Sequence, residues 1–381
     1  MSHFSPLLIA GCSLVWGLSS CALQSNLAFD EEAFSPADNN IRSATESDGP
    51  GLLAREEAAS EDAASALTPG SSHATNGRSA QSSVHGVGLR QADSLGGGAA
   101  PVPKDKKLRV FIFMGQSNMT GHGRSSDLKP PYNQKDDRIR IWAHHRWEYL
   151  VPHRNFGPET SFAHEMANAN PDEVTGIIKV AVGATALAAW QPEYNRKLAA
   201  ASGDAMKGSL YQDLLDALSA ARKRSDFEID GFVWKQGGKD SRNAYLAATY
   251  RDRFIHLVQR MRADLGDSGM PVFVLTYFDQ KGIENHRKQI TRIRANALPI
   301  FTFQANVSTY LPNAYPVFHG RLPTLVDGVH FNSQSLLKLG KMTADAVLKH
   351  PRSMNQLSPD TVADKQEDGG ASVRHQISPA P

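Results

Sequence analysis

Between residues 106 and 350, short apolar runs alternate with longer stretches whose apolar residues recur at helical spacing. This alternation limits the fold sharply, because strands that are each followed by a helix pair in parallel and need helices over both faces of the sheet. Leu108–Met114, Gly176–Val182, Gly231–Trp234 and Val272–Tyr277 are short and largely apolar, as buried parallel strands are, and Ile300–Phe303 is read as a fifth. Between them, Leu210–Ala221, Ala244–Leu265 and Asn285–Ala297 have helical spacing. Ser335–Leu348 is a further helix, with Asn332 or Ser333 as its N-cap. The reading is an α/β domain over 106–350 around a parallel sheet of about five strands.

The flanks differ in composition. Residues 22–105 are rich in Ala, Ser, Gly, Asp and Glu, with few aromatics. Such a stretch, Gly96-Gly97-Gly98-Ala99-Ala100 included, buries too little apolar surface to offset its ordering entropy, so it reads as a disordered linker. Residues 351–381 read as a disordered tail. Residues 5–20 are mostly apolar and small and run into Leu18-Ser19-Ser20-Cys21, which resembles a bacterial lipoprotein signal with Cys21 as the lipidated residue. Met1-Ser2-His3 lacks the usual basic start. The expectation for 1–21 is an export signal. It implies a cell-envelope lipoprotein, or otherwise a secreted or periplasmic protein, with a lipid on Cys21 as the sole membrane attachment.

The 381-residue chain has a net charge of +2, and no basic stripe with interleaved aromatics speaks for nucleic acid. Its two cysteines, Cys12 and Cys21, both precede residue 22, so the folded part has neither disulfides nor thiolate metal sites. His144-His145 lacks a third converging ligand, so neither a metal nor any other cofactor is expected. Trp142 and Trp147 beside this pair are candidates for stacking on a sugar or for the core. Arg138, Arg140 and Arg146 read as a solvated face.

Ligands of open parallel sheets bind beyond the carboxyl ends of the strands. The turns at those ends are Gly115-Gln116-Ser117, Gly183-Ala184-Thr185, Lys235-Gln236-Gly237-Gly238 and Tyr277-Phe278-Asp279. Ser117 can present its oxygen at that rim, but a serine needs a base to become a nucleophile. His330 is a candidate base, and Asp327, three residues earlier, can fix its tautomer. The backbone N–H groups of Ser117 and Gly183 and the Gln236 side chain are candidate donors to an oxyanion. His286 and His319 are alternative bases without an Asp at comparable spacing, and His122, between Gly121 and Gly123, reads as a flexible loop residue near the site.

Together these residues resemble a known family. Gly115-Gln116-Ser117-Asn118-Met119, Phe156-Gly157-Pro158-Glu159, Val182-Gly183-Ala184-Thr185 with Trp190, Trp234-Lys235-Gln236-Gly237 and Asp327-Gly328-Val329-His330 resemble, in order, the blocks of the sialate O-acetylesterase and acetylxylan esterase branch of SGNH hydrolases. The resemblance implies a flavodoxin-like three-layer α/β/α sandwich and a metal-free esterase that releases acetate from acetylated glycans or other small esters. It implies Ser117 as nucleophile, His330 as base and acid, Asp327 as its orienter, and an oxyanion hole of Ser117, Gly183 and Gln236. Gln116, Asn118 and Trp190 are expected to contact substrate. The third block departs from the family at Gly238, where a Glu is usual, and at Lys235, where His is common. Gly238 implies reduced activity. It also leaves open an inactive glycan-binding module, and an acetyltransferase with the same triad is a further alternative. Neither the glycan nor the oligomeric state is legible.

Overall fold

The computed structural model describes residues 93–350. The signal reading of 1–21, most of the linker and the 351–381 tail lie outside these residues. The strands of the main sheet are β1 (Gly96–Ala99), β2 (Leu108–Gly115), β4 (Ile139–Ala143), β5 (Arg146–Leu150), β7 (Val174–Ala181), β8 (Glu228–Lys235), β9 (Val272–Thr276) and β10 (Ala314–Phe318). A two-stranded ribbon joins β3 (Gly123–Arg124) to β6 (Asn155–Phe156). The helices are α1 (Ser117–Thr120), α2 (Glu159–Ala169), α3 (Arg196–Ala200), α4 (Leu210–Arg222), α5 (Ala244–Ala248), α6 (Tyr250–Asp264), α7 (Gln280–Ile293), α8 (Ala297–Ala305) and α9 (Ser333–Lys349).

The sheet order is β1-β5-β4-β7-β2-β8-β9-β10. From β4 through β10 every pairing is parallel, whereas β5 is antiparallel to both β4 and β1. Counted along the chain, β2, β7, β8, β9 and β10 lie in the order 2-1-3-4-5, the flavodoxin-like arrangement. The described sheet therefore has eight strands rather than about five.

Side-chain alternation divides the core into two layers. Val110, Ile112 and Met114 of β2 join Leu214 and Leu218 of α4 and Phe254, Leu257 and Val258 of α6. Phe111 and Phe113 face the other way, onto Phe162 and Met166 of α2 and Leu336 and Leu339 of α9. The second helix layer packs closely. A Cβ on Gly340 of α9 would lie 2.1 Å from the Pro158 carbonyl oxygen, so only glycine lets α9 approach the start of α2. That contact sets the height of α9, and hence of the turn before it.

Three expectations are corrected. Gly96–Ala99 is an edge strand of the sheet, because its backbone pairs with β5 without needing side chains. Ile300–Phe303 lies inside α8, and the fifth parallel strand is β10, which follows it. A short apolar run fits a buried helix as well as a buried strand, and Pro299 in the first turn of α8 costs no helical hydrogen bond. Ala244–Leu265 is two helices, α5 and α6, that meet at Thr249.

Candidate active site

Strand β2 sits between β7 and β8, where the chain order reverses, and it ends level with both: Gly115 lies opposite Ala181 and Lys235. There the chain must bend sharply. Gly115 has φ 149°, and a Cβ on it would meet the Lys235 carbonyl oxygen at 2.2 Å. The Gln116 N–H donates to that same oxygen at 3.0 Å. Ser117 then opens α1 and is 2% exposed. The turn after β7 runs beside it, since a Cβ on Gly183 would stand 3.8 Å from the Ser117 Cβ. Ala184 takes the left-handed φ of 51°, a strained conformation for a residue with a Cβ. Lys207 supports this turn by donating to the Ala184 carbonyl at 2.7 Å.

His330 arrives from the loop between β10 and α9. Its Nδ1–H donates to Asp327 Oδ2 at 2.7 Å, while Asp327 Oδ1 accepts the N–H groups of Val329 at 2.8 Å and His330 at 3.0 Å. Burial by itself would raise the Asp327 carboxyl, but these amides and the imidazole outweigh it and hold it below the usual carboxylate range. The ring is thereby fixed in the tautomer whose other nitrogen is an acceptor. That nitrogen, Nε2, is buried and has no hydrogen-bond partner among the described residues.

Asn118 joins the two halves of the site. Its Nδ2 donates to the Val329 carbonyl at 3.2 Å and its Oδ1 accepts the Phe331 N–H at 2.9 Å. The residue after Ser117 thus grips both neighbours of His330. Asn118 is 3% exposed and organises the site, and it also lines the adjoining cleft, where the substrate contact expected of it would fall.

Gln236 is likewise committed. Its Nε2 donates to the Thr185 carbonyl at 2.9 Å and to Asp240 Oδ2 at 2.7 Å, which uses both of its hydrogens, so the expected oxyanion donor is occupied. Asp240 is fully buried and also accepts from the Leu187 N–H at 2.9 Å and from Arg253 at 2.9 Å. Burial raises its carboxyl, and the Arg253 charge only partly offsets this. Asp240 therefore locks the turns after β7 and β8 together. Trp190 is also corrected. It is fully buried, packs edge-on against Trp234 at 5.5 Å and donates to Thr185 Oγ1, so it cannot meet a substrate. Trp142 and Trp147 are buried in the same apolar layer.

A small cleft opens at Gln116 and Asn118, the residues on either side of Ser117, and is walled further by Lys235, Gln236, Gly238, Tyr277, Phe301 and Gln304. The Lys235 ammonium lies 3.9 Å from the centre of the Tyr277 ring. His319 packs edge-on against the same ring at 4.7 Å, and its Nδ1–H donates to the Gly320 carbonyl at 2.7 Å. Of the alternative bases, His286 is on α7 and bonds Gln289, and His319 Nδ1 is taken by the Gly320 carbonyl. His122 is no loose loop residue: its ring lies over His330, with centroids 3.8 Å apart and planes at 31°.

Below α1 lies a buried ion pair. Lys179 of β7 meets Glu159 of α2 at 2.8 Å, with side chains 1% and 0% exposed, and Lys179 also donates to the Thr120 carbonyl at 2.8 Å. Glu159 Oε1 in turn accepts the Gly157 N–H at 2.8 Å. The Phe156-Gly157-Pro158-Glu159 block thus props the end of the turn bearing Ser117 from beneath.

Known proteins resemble this chain in fold and in sequence. A protein from Arabidopsis thaliana is 22% identical over 63% of this chain and 98% of its own, with a TM-score of 0.50, a likeness of fold. NanS is 16% identical over 65% of this chain and 98% of its own, with a TM-score of 0.47. A carbohydrate acetylesterase from Xanthomonas citri is 17% identical over 64% of this chain and 56% of its own, with a TM-score of 0.45. No curated protein matches the sequence. The family model for carbohydrate esterases described as sialic acid-specific acetylesterases matches residues 107–349, which takes in every block from Ser117 to His330. The chain belongs to that carbohydrate esterase family.

Proposed function

We propose that this protein removes acetyl groups from acetylated carbohydrates with Ser117 as nucleophile, His330 as base and acid, and Asp327 as the group that orients His330. The observation that carries the reading is the His330 ring. Its Nδ1–H is pinned to Asp327, its Nε2 is left buried as an acceptor, and Asn118 ties it to the turn bearing Ser117. A hydrogen bond between nucleophile and base is often long until substrate arrives, so this arrangement is compatible with catalysis.

In the first half-reaction the Ser117 oxygen attacks the acetyl carbonyl carbon, and its proton passes to His330 Nε2. The negative oxygen of the tetrahedral adduct is met by the backbone N–H groups of Ser117 and Gly183. Each such donor is worth about 3 kcal/mol in the transition state. The adduct collapses, the C–O bond to the sugar breaks, and the sugar oxygen takes the proton from His330. Water then attacks the acetyl-serine and gives a proton to His330; the bond between the acyl carbon and the Ser117 oxygen breaks, that oxygen takes the proton back from His330, and acetate leaves.

Gly238 in place of the usual Glu favours a second reading, a binding module without turnover. The full-length protein should release acetate from p-nitrophenyl acetate and from acetylated glycans, and Ser117→Ala should abolish both. Equal rates for the two proteins would sink the esterase reading. Glycan binding without acetate release by either protein would favour the module.

A further inference from the structure

His122 reaches the site on a segment fixed from several sides. Gly121 before it has φ 92°, and its N–H donates to the Ser117 carbonyl at 2.8 Å. A Cβ on Gly121 would lie 2.1 Å from the Phe156 carbonyl oxygen, and one on Gly123 would lie 2.6 Å from the Phe156 ring. Both glycines are therefore required for β3 to lie against β6. Beyond Gly123, the Arg124 N–H donates to Ser333 Oγ at 3.0 Å, and Ser333 donates to Asp127 at 2.6 Å. Ser333 begins the helix that follows His330. The segment is thus tied to the Ser117 turn at one end and to the His330 turn at the other, with the His122 ring set over His330 between them.

We propose that His122 is a positioning residue: packed 3.8 Å over one face of the His330 ring, it holds that imidazole in the plane in which Nε2 meets the Ser117 proton. The Asp327 bond fixes one ring nitrogen but leaves rotation about it open, and a ring stacked on the face closes that motion. The charges suit the task. Burial, and then the neighbouring His330, push His122 down to about 4, with Lys179 adding to this and Asp327 opposing it. His122 is therefore neutral when His330 becomes an imidazolium, and a neutral aromatic face attracts a cation, whereas a charged ring would repel it. The inference rests on the assignment of Ser117 and His330 above.

The test uses the full-length protein with p-nitrophenyl acetate. His122→Ala should lower kcat by about tenfold to a hundredfold, as misplacement of a reacting group by an ångström does, while KM stays within about twofold. His122→Phe, which keeps a flat ring but no ring nitrogens, should restore most of kcat, and His122→Leu should not. Labelling of Ser117 by a fluorophosphonate should slow and recover in the same order. If His122→Ala does not fold, Phe against Leu decides the question. An Ala variant with wild-type kcat, or a Phe variant no better than Leu, overturns the inference while leaving the esterase reading intact. Activity in Ser117→Ala overturns both.

Discussion

Asn118→Ala tests whether the site is held together as described. Asn118 makes two buried hydrogen bonds, at 3.2 Å to the Val329 carbonyl and 2.9 Å from the Phe331 N–H. Truncation leaves both backbone groups buried without their partner, at about 1–3 kcal/mol each. Water entering from the adjoining cavity would relieve part of this, so about 2–4 kcal/mol is expected. A domain of this size has about 5–15 kcal/mol of stability, so the variant should fold. Its Tm should fall by about 5–15 °C, at about 2–4 °C per kcal/mol. Freed from Ser117, the His330 turn can drift, and a shift near 1 Å costs on the order of a hundredfold in rate. The loss should fall chiefly on kcat, because Oδ1 and one Nδ2 hydrogen of Asn118 are committed to the clamp. Thermal unfolding followed by circular dichroism and steady-state hydrolysis of p-nitrophenyl acetate give both numbers. A variant that melts early yet keeps its kcat would refute the positioning argument, and one with its chief change in KM would make Asn118 chiefly a substrate contact.

The remaining expectations concern stability. Lys179→Met leaves Glu159 buried without its cation and should cost about 3–5 kcal/mol, whereas Lys179→Met with Glu159→Leu should cost less than the single change. Urea unfolding of the two variants checks this, and a double variant weaker than the single one contradicts it. The His122 ring, at about 4 in the folded protein against an ordinary 6.5, makes stability depend on pH. Between those values the unfolded chain holds the proton and the folded chain does not. Stability is therefore lost as pH falls from about 6.5 to about 4, by at most about 3 kcal/mol. His122→Phe should flatten that part of the profile, and urea midpoints at pH 7 and pH 4.5 with the same difference in both proteins would speak against it.

The central strands were legible because buried parallel strands are continuous apolar runs, a signal that the buried helix α8 shares and that cost the reading of Ile300–Phe303. The outer part of the sheet was not. At the start of β4 the sequence alternates, Arg138-Ile139-Arg140-Ile141, but Arg140 is buried, with its guanidinium donating to the carbonyls of Asp137, Ile139 and Pro101, so it is not part of the solvated face expected of it. β1 is mostly glycine, and its place is fixed by backbone pairing with β5 and by Glu148, which accepts the Gly98 N–H at 3.1 Å. In the site, the Asp327–His330 spacing could be read because it lies within one turn. The commitment of Asn118 and the packing of His122 on His330 depend on partners far away in the chain. The Gln236 amide is taken by the Thr185 carbonyl, 51 residues off, and by Asp240, only four residues on; the sequence shows that spacing but not that the turn folds the carboxylate back onto the amide.

The Asn118 clamp spans 211 and 213 residues of chain. Contacts of such separation pay their loop-closure entropy early and are rewarded only once the intervening structure exists, which slows folding. Here that structure includes the central sheet itself, because β7, β8, β9 and β10 all lie between the two halves of the clamp. A chain still being synthesised, or one cut anywhere before Phe331, has no assembled site even if its strands have paired. Recovery of esterase activity after denaturation should therefore lag behind the return of helical signal, and acetate release would serve as a clock for the last step of folding.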